Sequence, residues 1–160
     1  MVLLPEPLRY RFRVSCPPER AFQLWTANAG VWWPMATHSV SGRRDSALVI
    51  EPGAGGRIYE QTADGREFSW GTVVTWEPAR RLVCEWLIAD TPTELEVRFA
   101  ADADGGTVVE IEHRGWERFG EAGADRRDMN ARGWSGVIAL YVAACGPGVA
   151  GPGRERLTPR

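Results

Sequence analysis

The sequence has 160 residues, of which 44% are hydrophobic, and its formal net charge at pH 7 is -2. These values fit one globular domain with a substantial core. They argue against nucleic acid as a partner, because such proteins carry a basic surface. No basic segment with a long apolar run opens the chain, and no apolar run approaches the ~20 residues that cross a membrane. We predict a cytoplasmic protein without a membrane partner.

The first predicted elements are a strand and two short helices. Leu8 to Ser15 alternate between apolar and mostly arginine side chains, which is typical of a strand with one buried face. Because a residue that precedes a proline avoids the helical conformation, the Pro17-Pro18 pair predicts a helix that begins at Pro18. A second helical turn is predicted around Asn28 to Trp32.

From Ser46 onward the pattern is almost entirely that of strands separated by turns. Asp64-Gly65 and Asp104-Gly105 are typical of tight hairpin turns. The predicted strands are Ala47–Glu51, Arg57–Thr62, Glu67–Trp76, Arg81–Ile88, Thr93–Ala101 and Thr107–His113.

The charges of the last two strands predict their register. If Ala101 faces Thr107, opposite charges meet on one face and apolar residues meet on the other. Leu95 then faces His113, which places this histidine on the inner side. Four glutamates are expected on the outer, solvated face, where they do not form a catalytic carboxylate pair: Glu94, Glu96, Glu110 and Glu112.

A long helix is predicted from Asp125 to Cys145, where apolar residues recur at helical spacing. The Pro- and Gly-rich residues 146–160 are predicted to be disordered. The expected fold class is α+β: one domain, residues 1–145, in which a curved antiparallel sheet wraps around the C-terminal helix.

No motif predicts metal binding, phosphate binding or nucleophilic catalysis, and we expect no cofactor. The histidines and cysteines lack metal-site spacing, and Cys16, Cys84 and Cys145 are expected to be buried free thiols. The glycine-rich segment EPGAGGRIY leads into a strand, whereas a phosphate loop leads into a helix. No serine or cysteine lies in a nucleophile-elbow context.

Eight tryptophans are the strongest compositional signal. Alternation places Trp70 and Trp76 on one strand face together with Val74. With Trp86 they are expected to meet Trp134 of the final helix. Rings of this size rarely pack without gaps, so we predict a cavity in which indole N–H groups serve as polar handles.

Two adjacent tryptophans precede the sheet in the segment GVWWPMATHS. Neighbouring side chains of an extended segment point in opposite directions. We therefore assign Trp33 to the cavity and Trp32 to packing or to the outer surface. If the two positions are reversed, the two tryptophans still have different roles. His38 is interpreted as a loop residue.

Two polar residues fall on predicted inner strand faces. Glu60 shares a face with Ile58, so it is either a buried carboxylate that needs a partner or a residue at an outward or edge position. His113 is either a hydrogen-bonded core residue or a cavity residue that orients a ligand or transfers protons.

Several segments resemble the SRPBCC superfamily, which includes START-like and birch-pollen-allergen-like proteins: PPERAFQLWT, WWP, TELEVRF, VEIEHRGWERFG and the pair Gly133-Trp134. The branch that the chain resembles is the bacterial homologues of the activator of the heat-shock-protein-90 ATPase. The resemblance implies a helix-grip fold, with a deep pocket for apolar or aromatic molecules between the sheet and the C-terminal helix.

The expected function is binding of a small apolar or aromatic ligand, as in a sensor or a stress-related carrier. Two alternatives stay open: an enzyme of the polyketide cyclase, aromatase or hydrolase type, and a chaperone-associated module with an exposed apolar patch at Trp32. No residue set matches a cyclase motif, and both monomer and homodimer stay open. The candidate ligand-binding residues are Trp33, Glu60, Trp70, Trp86, His113, Trp134 and Tyr141.

Overall fold

The computed structural model describes residues 4–146. Within them, helices α1, α2 and α3 comprise Pro18–Trp25, Ala29–Trp32 and Gly123–Ala144, and a 3-10 helix spans Trp116–Ala122. The strands are β1 Leu8–Val14, β2 Ala47–Ile50, β3 Arg57–Gln61, β4 Glu67–Glu77, β5 Arg81–Ile88, β6 Thr91–Ala101 and β7 Thr107–Arg114. Disorder is predicted for residues 146–160, and all of these except Gly146 lie outside the described residues.

The seven strands form one antiparallel sheet in the order β1-β7-β6-β5-β4-β3-β2. The sheet is curved, and α3 contributes Trp134, Val137 and Tyr141 to the core that lies on its inner face. This arrangement confirms the predicted α+β helix-grip fold. No helix in residues 4–146 is long and apolar enough to span a membrane.

Local sequence rules position the first helix and the last hairpin as predicted. Pro17 has extended backbone angles (φ -70°, ψ 164°) and α1 begins at Pro18. The register of β6 and β7 is confirmed, since Ala101 pairs with Thr107 and Leu95 pairs with His113. The three cysteines are buried free thiols, which confirms that prediction as well.

The alternation assumed for β4 is wrong beyond its first residues. The pairing of β4 with β5 shifts between Val73 and Thr75, so Val73 is buried while Val74 is 52% exposed. At Gly71 the chain has φ +143°, and a Cβ there would lie 1.9 Å from the carbonyl oxygen of Glu85. Close approach of β4 and β5 therefore requires glycine at this position.

Glu96 corrects the expectation that the outer glutamates are solvated, because it is 4% exposed. Its carboxylate lies 2.7 Å from Arg81 Nε, 2.9 Å from Arg98 Nη2 and 2.9 Å from Arg114 Nη1. Burial raises the pKa of Glu96, but the hydrogen bonds from Arg81 and Arg114 outweigh this effect and hold the pKa below its usual value. Glu96 pairs with Glu112 across β6 and β7. Arg114 also lies 3.5 Å from Glu112, and its positive charge offsets the repulsion between the two glutamates.

Candidate functional site

A cavity of about 300 Å³ opens between the segment of residues 33–46, strands β4 and β5, and helix α3. Trp33, Trp70 and Trp86 form its aromatic wall, and an adjoining recess of about 60 Å³ reaches Trp134. The other lining residues are Thr37, His38, Ser39, Val40, Ser69, Leu87, Ile88, Asn130, Gly133 and Val137. The volume lies at the lower end of the range of about 300–1,000 Å³ for small-molecule sites.

Trp33 is the centre of the aromatic wall. Its ring centroid lies 5.6 Å from that of Trp70, 5.8 Å from that of Trp86 and 6.3 Å from that of Trp134. The Trp70 and Trp86 centroids lie 5.8 Å apart. Trp33 and Trp86 are half-buried, so part of their apolar surface borders the open cavity.

Three indole N–H groups of the wall and its recess point to protein acceptors. Trp33 Nε1 donates to the carbonyl oxygen of His38 at 2.8 Å, and Trp70 Nε1 donates to Glu60 Oε1 at 3.0 Å. Trp134 Nε1 donates to His113 Nδ1 at 3.0 Å. The prediction that indole N–H groups serve as polar handles is therefore wrong for these three residues, which present ring surface to the cavity.

Trp76 does not join the tryptophans of the cavity, contrary to the prediction from alternation. Its ring packs edge-on against Phe22 of α1, with centroids 5.1 Å apart. Because the shift in β4 displaces this part of the strand, Trp76 lines a separate surface groove beside α1.

The structure places Trp33 at the cavity and Trp32 in the core. Trp32 is 8% exposed, donates its N–H to the carbonyl oxygen of Leu24 at 2.7 Å, and packs 5.1 Å from the Tyr141 ring. The two side chains diverge because α2 ends at Trp32 and Trp33 is extended (φ -65°, ψ 132°). Trp32 provides no exposed apolar patch, which weakens the expectation of a chaperone contact there.

Glu60 is a fully buried carboxylate behind the cavity wall. It accepts hydrogen bonds from the backbone N–H of Val40 at 2.7 Å, from that of Ser41 at 3.3 Å, and from Trp70 Nε1 at 3.0 Å. Burial raises the pKa of Glu60, but the hydrogen bonds from Ser41, Trp70 and Val40 outweigh it and bring the pKa below its usual value. The carboxylate thus connects the segment 33–46 to the aromatic wall.

His113 of β7 is fully buried beneath Trp134 of α3, and both of its ring nitrogens form hydrogen bonds. Nδ1 accepts the Trp134 N–H, so the proton of the neutral ring lies on Nε2, which donates to Thr93 Oγ1 at 2.8 Å. The Thr93 hydroxyl in turn donates to the carbonyl oxygen of Trp86 at 2.7 Å. Burial lowers the pKa of His113 to about 3. The ring is therefore neutral at pH 7, and it positions the two walls of the cavity.

Tyr141 lies in the core and not among the residues that line the cavity. It is fully buried, its hydroxyl donates to the carbonyl oxygen of Ala21 at 2.7 Å, and its ring packs 4.8 Å from that of Trp25. Tyr141 lies on the apolar face of α3, as predicted. Trp134 and Val137 on that face reach the recess, whereas Tyr141 packs only in the core.

His38 and Asn130 line the cavity and were missed as candidates. Asn130 precedes Trp134 by one helical turn and so shares its face, a spacing that the sequence does display. His38 lies close to α3 at Gly133, where a Cβ would be 3.4 Å from Nε2. Within residues 4–146, no cluster of three or more His, Cys, Asp or Glu side chains could hold a metal ion.

A curved antiparallel sheet that grips a C-terminal helix defines this chain as a helix-grip protein of the SRPBCC type. The family model of the activator of Hsp90 ATPase homolog 1-like proteins matches residues 15–140. The chain therefore belongs to that family. A comparison with curated protein sequences finds no match.

Solved structures with the same fold include a synthase and a resistance protein. The anthrahydroquino-gamma-pyrone synthase Txn09 is 30% identical with a TM-score of 0.62, and the match covers 89% of this chain and 99% of that chain. CalC of Micromonospora echinospora, a self-sacrificing resistance protein, is 23% identical with a TM-score of 0.65 and coverage of 88% and 94%. CalU16 of the same organism is 20% identical with a TM-score of 0.58 and coverage of 88% and 76%.

Proposed function

We propose that the protein binds a small, largely aromatic molecule in the tryptophan-lined cavity. The observation that carries this proposal is the half-buried Trp33, which lies within 6.3 Å of three other tryptophan rings beside an open cavity. Solvent contact with such apolar surface is unfavourable, and a planar ligand that covers it removes that surface from water.

Similarity to solved structures supports an aromatic ligand. Txn09, at 30% identity over 89% of this chain, is named as a synthase of an anthrahydroquino-gamma-pyrone, which is an aromatic ring system. Cavities that bind small molecules are mostly apolar and aromatic, with a few polar groups that fix orientation. In this cavity His38, Ser39 and Asn130 are the groups available for that purpose.

Replacement of Trp33 by alanine is expected to weaken binding of a neutral aromatic probe, 1-methylnaphthalene, by about two- to tenfold, since one stacked ring contributes about 0.5–1.5 kcal/mol. Quenching of tryptophan fluorescence measures the affinity. Trp76→Ala is the matched control, because Trp76 is also half-buried but lies outside the cavity. Equal affinities of the two variants would place the binding site elsewhere.

A role as an enzyme is the second candidate, and it is favoured by the similarity to a synthase. His38 is the one titratable side chain among the residues that line the cavity and its recess. Its Nδ1 lies 2.8 Å from Thr37 Oγ1, and its Nε2 makes no hydrogen bond within residues 4–146. His113 is less suited to proton transfer, since both its nitrogens are bonded within the protein.

The enzymatic candidate predicts that His38→Gln retains ligand affinity and loses at least about 100-fold in turnover, the usual contribution of a general acid or base. Product formation is followed by mass spectrometry, starting from compounds that quench the tryptophan fluorescence of the wild-type protein. Equal product formation by the wild type and His38→Gln would remove His38 as a catalytic residue.

A further inference from the structure

The cavity has an unusual charge environment. The residues that line it and its recess include no arginine, aspartate or glutamate, and the sequence contains no lysine. Behind the wall lies the carboxylate of Glu60, which accepts hydrogen bonds from two residues of the lining, Val40 and Trp70. A ligand in the cavity is thus separated from a negative charge by one layer of protein.

The charge of Glu60 is not neutralised by a counter-ion in residues 4–146. Its hydrogen bonds come from uncharged donors, namely two backbone N–H groups and an indole. These bonds hold its pKa below the usual value, so the side chain is ionised at neutral pH. The other buried titratable group beside the cavity, His113, is neutral. The buried charge beside this site therefore sums to one negative unit.

The tryptophans add to this negative potential. The N–H groups of Trp33, Trp70 and Trp134 point to protein acceptors, so the rings offer their π surfaces, which attract cations. The N–H of Trp70 donates to the ionised Glu60, and such a bond polarises the ring so that its face becomes more negative. Aromatic surface and buried carboxylate thus favour the same sign of ligand charge.

We propose that the ligand of this cavity is a flat organic cation, and that the site discriminates against carboxylates and other anions of the same shape. This inference rests on the proposed ligand-binding function. An anion would lose hydration without meeting an arginine or lysine side chain, and it would be repelled by the carboxylate of Glu60 behind the wall. A cation gains both the ring faces and the carboxylate.

Three probes of matched shape test the inference on the wild-type protein: 1-methylquinolinium as the cation, 1-methylnaphthalene as the neutral isostere and 1-naphthoate as the anion. Titrations followed by tryptophan fluorescence are expected to give a dissociation constant about tenfold lower for the cation than for the neutral probe. The anion is expected to bind weakest. A neutral probe that binds as tightly as the cation, or a tighter anion, overturns the charge inference and leaves aromatic binding intact. Failure of all three probes to bind counts against the proposed function itself.

Glu60→Gln then tests the source of the preference. The ratio of the two affinities, cation over neutral, is expected to fall to about threefold or less, because the amide keeps the shape and loses the charge. Glu85→Gln is the control, since Glu85 adjoins Trp86 in sequence but is exposed. An unchanged ratio in Glu60→Gln overturns the role of this carboxylate. If Glu60→Gln does not fold, the ratio measured on the wild-type protein decides the charge inference alone.

Discussion

Replacing Glu60 with alanine is expected to lower the free energy of unfolding by about 2 kcal/mol. The substitution removes the acceptor of three donors: the buried indole N–H of Trp70, and the backbone N–H groups of Val40 and Ser41, which lie in a partly exposed segment. A buried donor without an acceptor costs about 1–3 kcal/mol, which applies to Trp70, whereas the N–H groups of Val40 and Ser41 can bond to water and cost less; relief from burying the charge offsets part of the sum. The loss is large because one side chain satisfies donors from two parts of the structure.

Urea denaturation at pH 7 measures this loss. Glu60→Gln keeps an acceptor oxygen but brings an NH₂ group against the backbone donors, so its loss is expected to lie between those of the wild type and Glu60→Ala. Gln61→Ala is the control, because Gln61 is the exposed neighbour on β3 and should change stability by less than about 0.5 kcal/mol. A loss below about 1 kcal/mol in Glu60→Ala would mean that water replaces the carboxylate.

The lowered pKa of Glu60 also sets the direction of its pH dependence. In the unfolded chain a glutamate titrates near its usual value of about 4.3, and in the folded protein it titrates lower. Its contribution to stability is therefore fully present above about pH 4.3 and is lost as the pH falls through the folded pKa. The segment 33–46 should detach from the wall in the same range, which would open the side of the cavity that carries His38.

Elements governed by neighbours in sequence could be predicted, because their causes are local. The start of α1 follows from Pro17 and Pro18, and the register of β6 and β7 follows from the charges that face each other across the pair. In both cases the residues that decide the structure are visible in one short stretch. The inner face of β7, and with it the burial of His113, follows from that register.

Features that depend on a third element could not be predicted in this way. The exposure of Val74 results from a shift in the pairing of β4 with β5, which alternation along one strand does not reveal. The burial of Glu96 depends on arginines from three strands. His38 and Asn130 come together only because the segment 33–46 lies against α3. The candidate site was therefore predictable in its aromatic part and incomplete in its polar part.

Lowering the pH from 7.5 to 5 is expected to reduce the free energy of unfolding by about 2 kcal/mol through His113 alone. Burial lowers the pKa of His113 to about 3 in the folded protein, while the unfolded chain titrates near 6.5. Below pH 6.5 the imidazole of His113 therefore binds a proton in the unfolded state but stays neutral in the folded state. Stability is unaffected above pH 6.5 and falls by about 1.4 kcal/mol per pH unit below it, until about pH 3.

Urea denaturation at several pH values between 5 and 7.5 tests this dependence in a window above the range in which carboxylates titrate. His113→Gln lacks the titrating ring at this one position and keeps every other group, so its stability is expected to be lower at pH 7.5 but to fall by about 2 kcal/mol less on acidification than that of the wild type. Equal losses in the two proteins would show that the folded structure admits a proton to His113. This would require a break in the bond from Trp134 Nε1 to His113 Nδ1, because that N–H occupies the position of the second ring proton. The dependence of the free energy of unfolding on pH thus reports whether the hydrogen bond from Trp134 of α3 to His113 of β7 stays formed.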